Sequence, residues 1–151
     1  MTAPAPTPAI RLISSTPRQW FERGRRDLAA LLSDHLHCER KAAENALGLV
    51  RRYPQDAVLL ERLTRLAHEE TSHCVQVALL LAERGLEPRQ DTPNEYARRL
   101  FAFARKQEPA RRLDALLVAG FIEARSHERL GLLARGFAEE GDERLAEFYR
   151  A

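Results

Sequence analysis

The sequence predicts an all-α protein, and three observations carry that expectation. Leu and Ala together fill 46 of the 151 positions, whereas Val and Ile fill only 8, and strands draw on the β-branched residues that are scarce here. Glycine and proline are sparse after the first twenty residues, which excludes a collagenous or low-complexity chain. Apolar residues then recur at helical spacing along three long stretches. A chain of this length supports one compact domain with a sizeable core.

The elements follow in order. Pro4, Pro6 and Pro8 discourage a helix, so residues 1–15 read as a flexible tail or a strap over the surface, ahead of one helical domain over 16–151. Thr16-Pro17-Arg18-Gln19 has the form of a capping box and starts a helical pattern that runs to about Tyr53, with Gly24 the point where it can break. Pro54 ends it, because the residue before a proline avoids the α region. Asp56 caps a second helix that continues to Glu83 or Arg84 and stops at Gly85. After the connector GLEPRQD, Thr92-Pro93-Asn94-Glu95 offers another capping box for a shorter helix to about Lys106. Glu108-Pro109 restarts the chain for a long helix from Ala110 to about Phe137. Gly141-Asp142 turns it into a last, short one. The three long helices, each about 40 Å at the α-helical rise, and one stump are the parts of a four-helix bundle whose last helix is incomplete.

Composition narrows the function. No apolar run approaches the roughly 20 residues needed to cross a bilayer, and the N-terminus lacks the charged leader and apolar core of a signal peptide. Two cysteines, Cys38 and Cys74, make no disulfide framework and fit reduced thiols, so a soluble cytoplasmic protein is expected. Of 24 basic residues 22 are arginine, with doublets at Arg25–Arg26, Arg51–Arg52, Arg98–Arg99 and Arg111–Arg112. Arginine forks bind phosphates, which admits a nucleic-acid partner, but 22 acidic residues nearly balance the total.

The informative positions are glutamates standing where apolar residues should be. At helical spacing Glu39 is flanked by Leu32, Leu36, Ala42, Ala43, Leu47 and Val50. Glu70 has Leu63, Leu66, Ala67, His73, Cys74 and Val77; Glu123 has Leu116, Ala119, Gly120, Ser126, His127 and Leu130. A buried carboxylate must be paired, protonated or metal-bound. One such glutamate reads as a helix-edge residue; three on three long helices point to a shared partner. His73, three residues after Glu70, can bind the same ion. Two lone inward glutamates with a Glu-x-x-His match most of a ferritin-like di-iron ligand set, and mixed carboxylate and imidazole suits iron or manganese. A buried Arg–Glu network is the alternative. His35 and His127, each one turn from a proposed ligand, could be ligands or hydrogen-bond donors to one, but both read first as half-buried histidines with a hydrogen-bond partner. His37 and His68 fall off the inward stripes, and two sulfurs do not make a zinc site. No glycine-rich phosphate loop or nucleophile constellation is present in the sequence.

The segments LLSDHLHCERKAAENALGLVRRYP, RLAHEETSHCVQVALLLAERG and LLVAGFIEARSHERLGLLA resemble the MiaE family of bacterial tRNA hydroxylases, and the resemblance extends over nearly the whole chain after Thr16. It implies a ferritin-like di-iron monooxygenase acting on 2-methylthio-N6-isopentenyladenosine beside the anticodon. Glu39 would be a terminal ligand to one iron, Glu70 would bridge both, His73 would complete the first site, and Glu123 would be terminal on the second. O2 is then the co-substrate, an NAD(P)H-linked donor protein supplies electrons, and tRNA is the partner, with Arg51, Arg52, Arg98, Arg99, Arg111 and Arg112 as candidate phosphate contacts. Family members carry a second Glu-x-x-His on the last helix. This sequence has none, so a chain cut short, with half of the second iron site missing, is the expectation. Two rival readings stand beside it. One is a ferritin-like iron oxidase or iron-handling protein; the other is a metal-free helical interaction module whose open groove favours self-association.

Overall fold

The computed structural model describes residues 10–150, and among them are six helices and no strand. The helices are α1 (Arg18–Gly24), α2 (Leu28–Arg52), α3 (Ala57–Glu83), α4 (Glu95–Phe103), α5 (Ala110–Glu139) and α6 (Glu143–Arg150). The tail expected over 1–15 lies outside the described residues as far as residue 9. The chain divides into two compact units, one of Gly24–Thr92 and one of Pro93–Ala151 with the residues up to Arg23.

In the first unit α2 and α3 pack as a helical hairpin. The helical pattern after Thr16 does break at Gly24, and the new start is made by Asp27, whose carboxylate accepts from the Ala30 amide at 3.1 Å. Tyr53 closes α2 with its N–H on the Leu49 carbonyl, ahead of Pro54. Asp56 caps α3 by accepting from the Leu59 amide at 2.9 Å. Gly85, at φ 62, ends it: its own N–H reaches the Ala82 carbonyl and that of Leu86 reaches Leu81, so two orphan carbonyls are satisfied. The inward stripe of α2 is Leu32, Glu39, Ala43, Ala46 and Leu49. Leu47, expected on that stripe, is half exposed, because the true helical period brings Ala46 round to the core instead.

The connector after Gly85 is fastened back onto α2. The Arg89 amide donates to Ser33 Oγ at 2.9 Å, and its carbonyl meets His37 Nε2 at 2.8 Å. Its guanidinium grips both oxygens of Asp27, at 2.8 and 2.9 Å. Arg40 and Lys41 both pair with Asp91.

In the second unit α5 packs with α6 and α4. The two threonine capping boxes are not used as expected. Thr16 turns its hydroxyl away from α1 and donates to Glu128 Oε2 on α5 at 2.7 Å; its amide also donates to Glu128, and Arg125 Nη1 bridges to the Ser14 carbonyl at 3.0 Å. α4 is capped by Asn94, which accepts from the Ala97 amide at 3.0 Å, two residues later than Thr92. α4 also stops at Phe103 instead of near Lys106, since Ala104 is extended and the Arg105 amide is taken by Asp114. Gly141, at φ 80, closes α5 as Gly85 closes α3, and Asp142 caps α6. The core of this unit is aromatic. Phe21 is fully buried and meets Phe137 edge to face at 5.2 Å, and Phe137 stacks on Tyr149 at 5.9 Å. Gly136 leaves room for that ring, since a Cβ there would lie 2.4 Å from Phe21 Cε2.

Candidate metal centre

Glu39 sits midway along α2 and Glu70 midway along α3, and both are buried. Their environment is that of an apolar core: Leu32, Ala43, Leu63, Ala67 and Val77 are buried along the same two stripes. His73, one turn after Glu70, is about half exposed, with Nδ1 3.4 Å from Glu39 Oε2 and 3.8 Å from Glu70 Oε2. One ligand atom from each of the three residues falls within 4.8 Å of the others, the spacing of donors around one cation. The pairing expected from Glu70 and His73 on one face is therefore present, and Glu39 joins it from the facing helix.

Electrostatics favours an ionised Glu39. Burial works against the charge, but hydrogen bonds with His35 and Glu70, and the positive charge available on His35 and His73, outweigh it and bring the carboxyl down to about 2. His35 is the clearest of these partners, with Nε2 2.7 Å from Glu39 Oε1. Of its expected readings, the contact matches a histidine with a hydrogen-bond partner, here the Glu39 carboxylate one turn ahead. Cys74 lies beside the group, with its thiol donating to the Leu36 carbonyl at 3.8 Å. Burial and the nearby charges of Glu39 and Glu70 raise its pKa, which disfavours a thiolate ligand.

The donor set suits a hard or borderline cation. Two buried carboxylates bring negative charge into the interior, and imidazole adds a nitrogen on the open side. Glu123 is placed differently: it is exposed on α5, in the other compact unit, and is not part of the three-residue group. His127 and His68 are exposed, and His37 is engaged by the connector. Arg51 and Arg52 are exposed on the last turn of α2 and Arg111 is exposed on the first turn of α5, where Arg112 is half-buried. Arg98 and Arg99 are exposed on α4 but bound to Glu95.

Residues 6–151 match the family described as tRNA-(MS[2]IO[6]A)-hydroxylase (MiaE). The chain belongs to the MiaE family. A MiaE relative from Pseudomonas putida, named a tRNA 2-(methylsulfanyl)-N(6)-isopentenyladenosine(37) hydroxylase, is 40% identical over 134 residues, covering 89% of this chain and 63% of that protein. One of the same name from Salmonella typhimurium is 29% identical, covering 89% of this chain and 66% of the relative. The chain thus spans just under two thirds of the length of these MiaE proteins. Among solved structures, a Synechococcus protein named for aldehyde deformylating oxygenase activity matches with a TM-score of 0.87 at 42% identity, over 93% of this chain and 69% of that one. The all-α, ferritin-like fold class read from the sequence holds. Among the described residues no helix is long and apolar enough to cross a membrane.

Proposed function

We propose that this chain is a di-iron monooxygenase that hydroxylates the isopentenyl group of 2-methylthio-N6-isopentenyladenosine in tRNA, in the cytoplasm. The observation that carries this reading is the convergence of Glu39, Glu70 and His73 inside a chain that matches the MiaE family from residue 6 to residue 151. Glu39, Glu70 and His73 would hold the first iron, with Glu70 shared between two, and Glu123 would serve the second. Bound there, two ferrous ions would supply two of the four electrons that O2 takes up, the C–H bond giving the other two as one oxygen atom enters it and the other leaves as water. Two electrons from an NAD(P)H-linked donor protein would return the iron pair to the ferrous state.

The side chains have separate tasks. Glu39 and Glu70 provide the negative charge that retains a cation in an apolar interior. His35 keeps Glu39 aimed at the site. His73, on the exposed side, leaves that side open for exchange, and the part-exposed Leu66, one turn before Glu70, offers an apolar surface beside it for a hydrocarbon side chain. Arginines such as Arg51, Arg52 and Arg111 would meet RNA phosphates.

The test is to load the chain anaerobically with Fe(II), add O2, a reductant and tRNA lacking only this hydroxyl, and digest to nucleosides. A modified adenosine heavier by one oxygen is expected from the wild type, and none from Glu70→Ala/His73→Ala. A loaded wild type that turns over no tRNA overturns the reading. A second reading comes from the activity in the name of the Synechococcus protein, which would make an aldehyde the substrate. Formate release from an aldehyde, with no change in tRNA, would favour it.

A further inference from the structure

We infer that Phe103 is a stacking platform for an unpaired base of an RNA substrate, with Lys106 and Arg111 holding the adjoining phosphates; this rests on the RNA substrate proposed above. Phe103 is 85% exposed at the last position of α4, and Phe101 beside it is 42% exposed. An aromatic ring so fully in water does no work for the core, and its loss of hydration is left for a ligand. The ring is also presented from a fixed base. Two residues on, the Arg105 amide and Nε both donate to Asp114 Oδ2 at 2.8 Å while Nη2 reaches Oδ1 at 2.7 Å, which pins the chain after α4 to the side of α5.

The charge of the segment that carries the ring selects the occupant. From Glu95 to Asp114 the chain carries six cations, Arg98, Arg99, Arg105, Lys106, Arg111 and Arg112, against three carboxylates, Glu95, Glu108 and Asp114. That excess of three exceeds the net +2 of the entire chain. Lys106 and Arg111 are both exposed within it. An exposed aromatic ring in a segment with surplus cations fits a ligand with a π face and a regular phosphate backbone, the combination that single-stranded nucleic acid offers and a duplex does not. An anticodon loop presents such bases.

Binding of the full chain to a labelled anticodon stem-loop RNA, and to a blunt duplex of equal length, tests this without iron or turnover. Phe103→Ala should raise Kd for the stem-loop roughly tenfold, the effect of one lost stack, while Phe103→Trp keeps it. Duplex binding should not respond to either change. Lys106→Ala/Arg111→Ala should flatten the salt dependence by on the order of 0.7 in logarithmic slope for each charge removed. Since Phe103 is exposed, thermal melts of its variants should match the wild type. Stem-loop affinity unchanged in Phe103→Ala overturns the inference and leaves the hydroxylase reading intact. Phe103→Ala that binds RNA normally but loses self-association in sedimentation also overturns it, and assigns the ring to a second copy of the chain. A wild type that binds neither RNA overturns both.

Discussion

Glu39 on α2 and Glu70 on α3 are both buried, and each brings a carboxylate oxygen within 4.8 Å of the other between the apolar stripes of the hairpin. Two carboxylates this close, taken out of water, repel each other. A cation would relieve that repulsion, and without one the energetic burden falls on the chain.

That burden is measurable. Glu39→Leu/Glu70→Leu should stabilise the metal-free chain by about 1–4 kcal/mol, because apolar residues replace a desolvated polar pair. Glu70→Leu alone should fall below the double variant, since it leaves Glu39 buried with one partner fewer. Fe(II) should raise the melting temperature of the wild type and leave the double variant unmoved. Paired melts with and without Fe(II) check both statements, and a double variant less stable than wild type would contradict the first.

His73 separates binding from folding. Its side chain is half exposed, so His73→Ala should shift stability by no more than about 0.5 kcal/mol. Fe(II) affinity should nonetheless fall by at least about tenfold. Anaerobic titration of the variant, beside a urea melt, reads the two effects separately.

Gly136 and Gly48 should respond oppositely to alanine. At Gly136 the new Cβ would lie 2.4–2.7 Å from three atoms of the Phe21 ring, itself immobilised against Phe137, so Gly136→Ala should destabilise by about 1–3 kcal/mol. Gly48 lies inside α2 with nothing within 4 Å of its Cβ position, and Gly48→Ala should stabilise by up to about 1 kcal/mol. Urea midpoints of the two variants give the comparison.

Asp27 serves as the cap of α2 and as the anchor of Arg89. Asp27→Ala should cost about 1 kcal/mol from the lost cap. It should also free the connector after Gly85 from one of its ties, which limited proteolysis between residues 85 and 92 would report as faster cleavage. Cleavage at the wild-type rate would mean that Ser33, His37 and the Asp91 pairs hold the segment unaided.

The Asp114 clamp sets an acid limit on the segment bearing Phe103. The side-chain and backbone hydrogen bonds from Arg105 lower the carboxyl from 3.8 to about 2. A depressed carboxyl contributes its stabilisation fully above the unfolded value of 3.8 and loses it as the pH falls through about 2. Amide exchange at Arg105 should therefore gain protection between those limits as the pH rises, after correction for intrinsic rates. In Asp114→Asn that pH dependence should vanish.

Much of this was legible in the chain because the signals are local. Asp56, Gly85 and Gly141 act where turn chemistry places them, since a cap needs only its own helix. Glu70 and His73 share a face by spacing alone, and Glu39 stood out as a carboxylate on an apolar stripe. What failed was decided at long range. Thr16 has the right sequence for a cap but is drawn off by Glu128, 112 residues away. Thr92 loses its role to Asn94 because both residues could cap and geometry chose between them. The contact of His35 with Glu39 lay within reach of an i, i+4 argument, but its role as donor or ligand depended on where the ring points.

The aromatic succession from Phe21 through Phe137 to Tyr149 joins residues made far apart in time. On the ribosome, α2 and α3 emerge together and can form their hairpin at once. α1, although synthesised before them, finds its ring partners only when α5 and α6 have followed. During that interval Phe21 is an unsatisfied apolar side chain on a nascent polypeptide, which makes the α1 segment a natural handle for chaperones that recognise exposed aromatic residues.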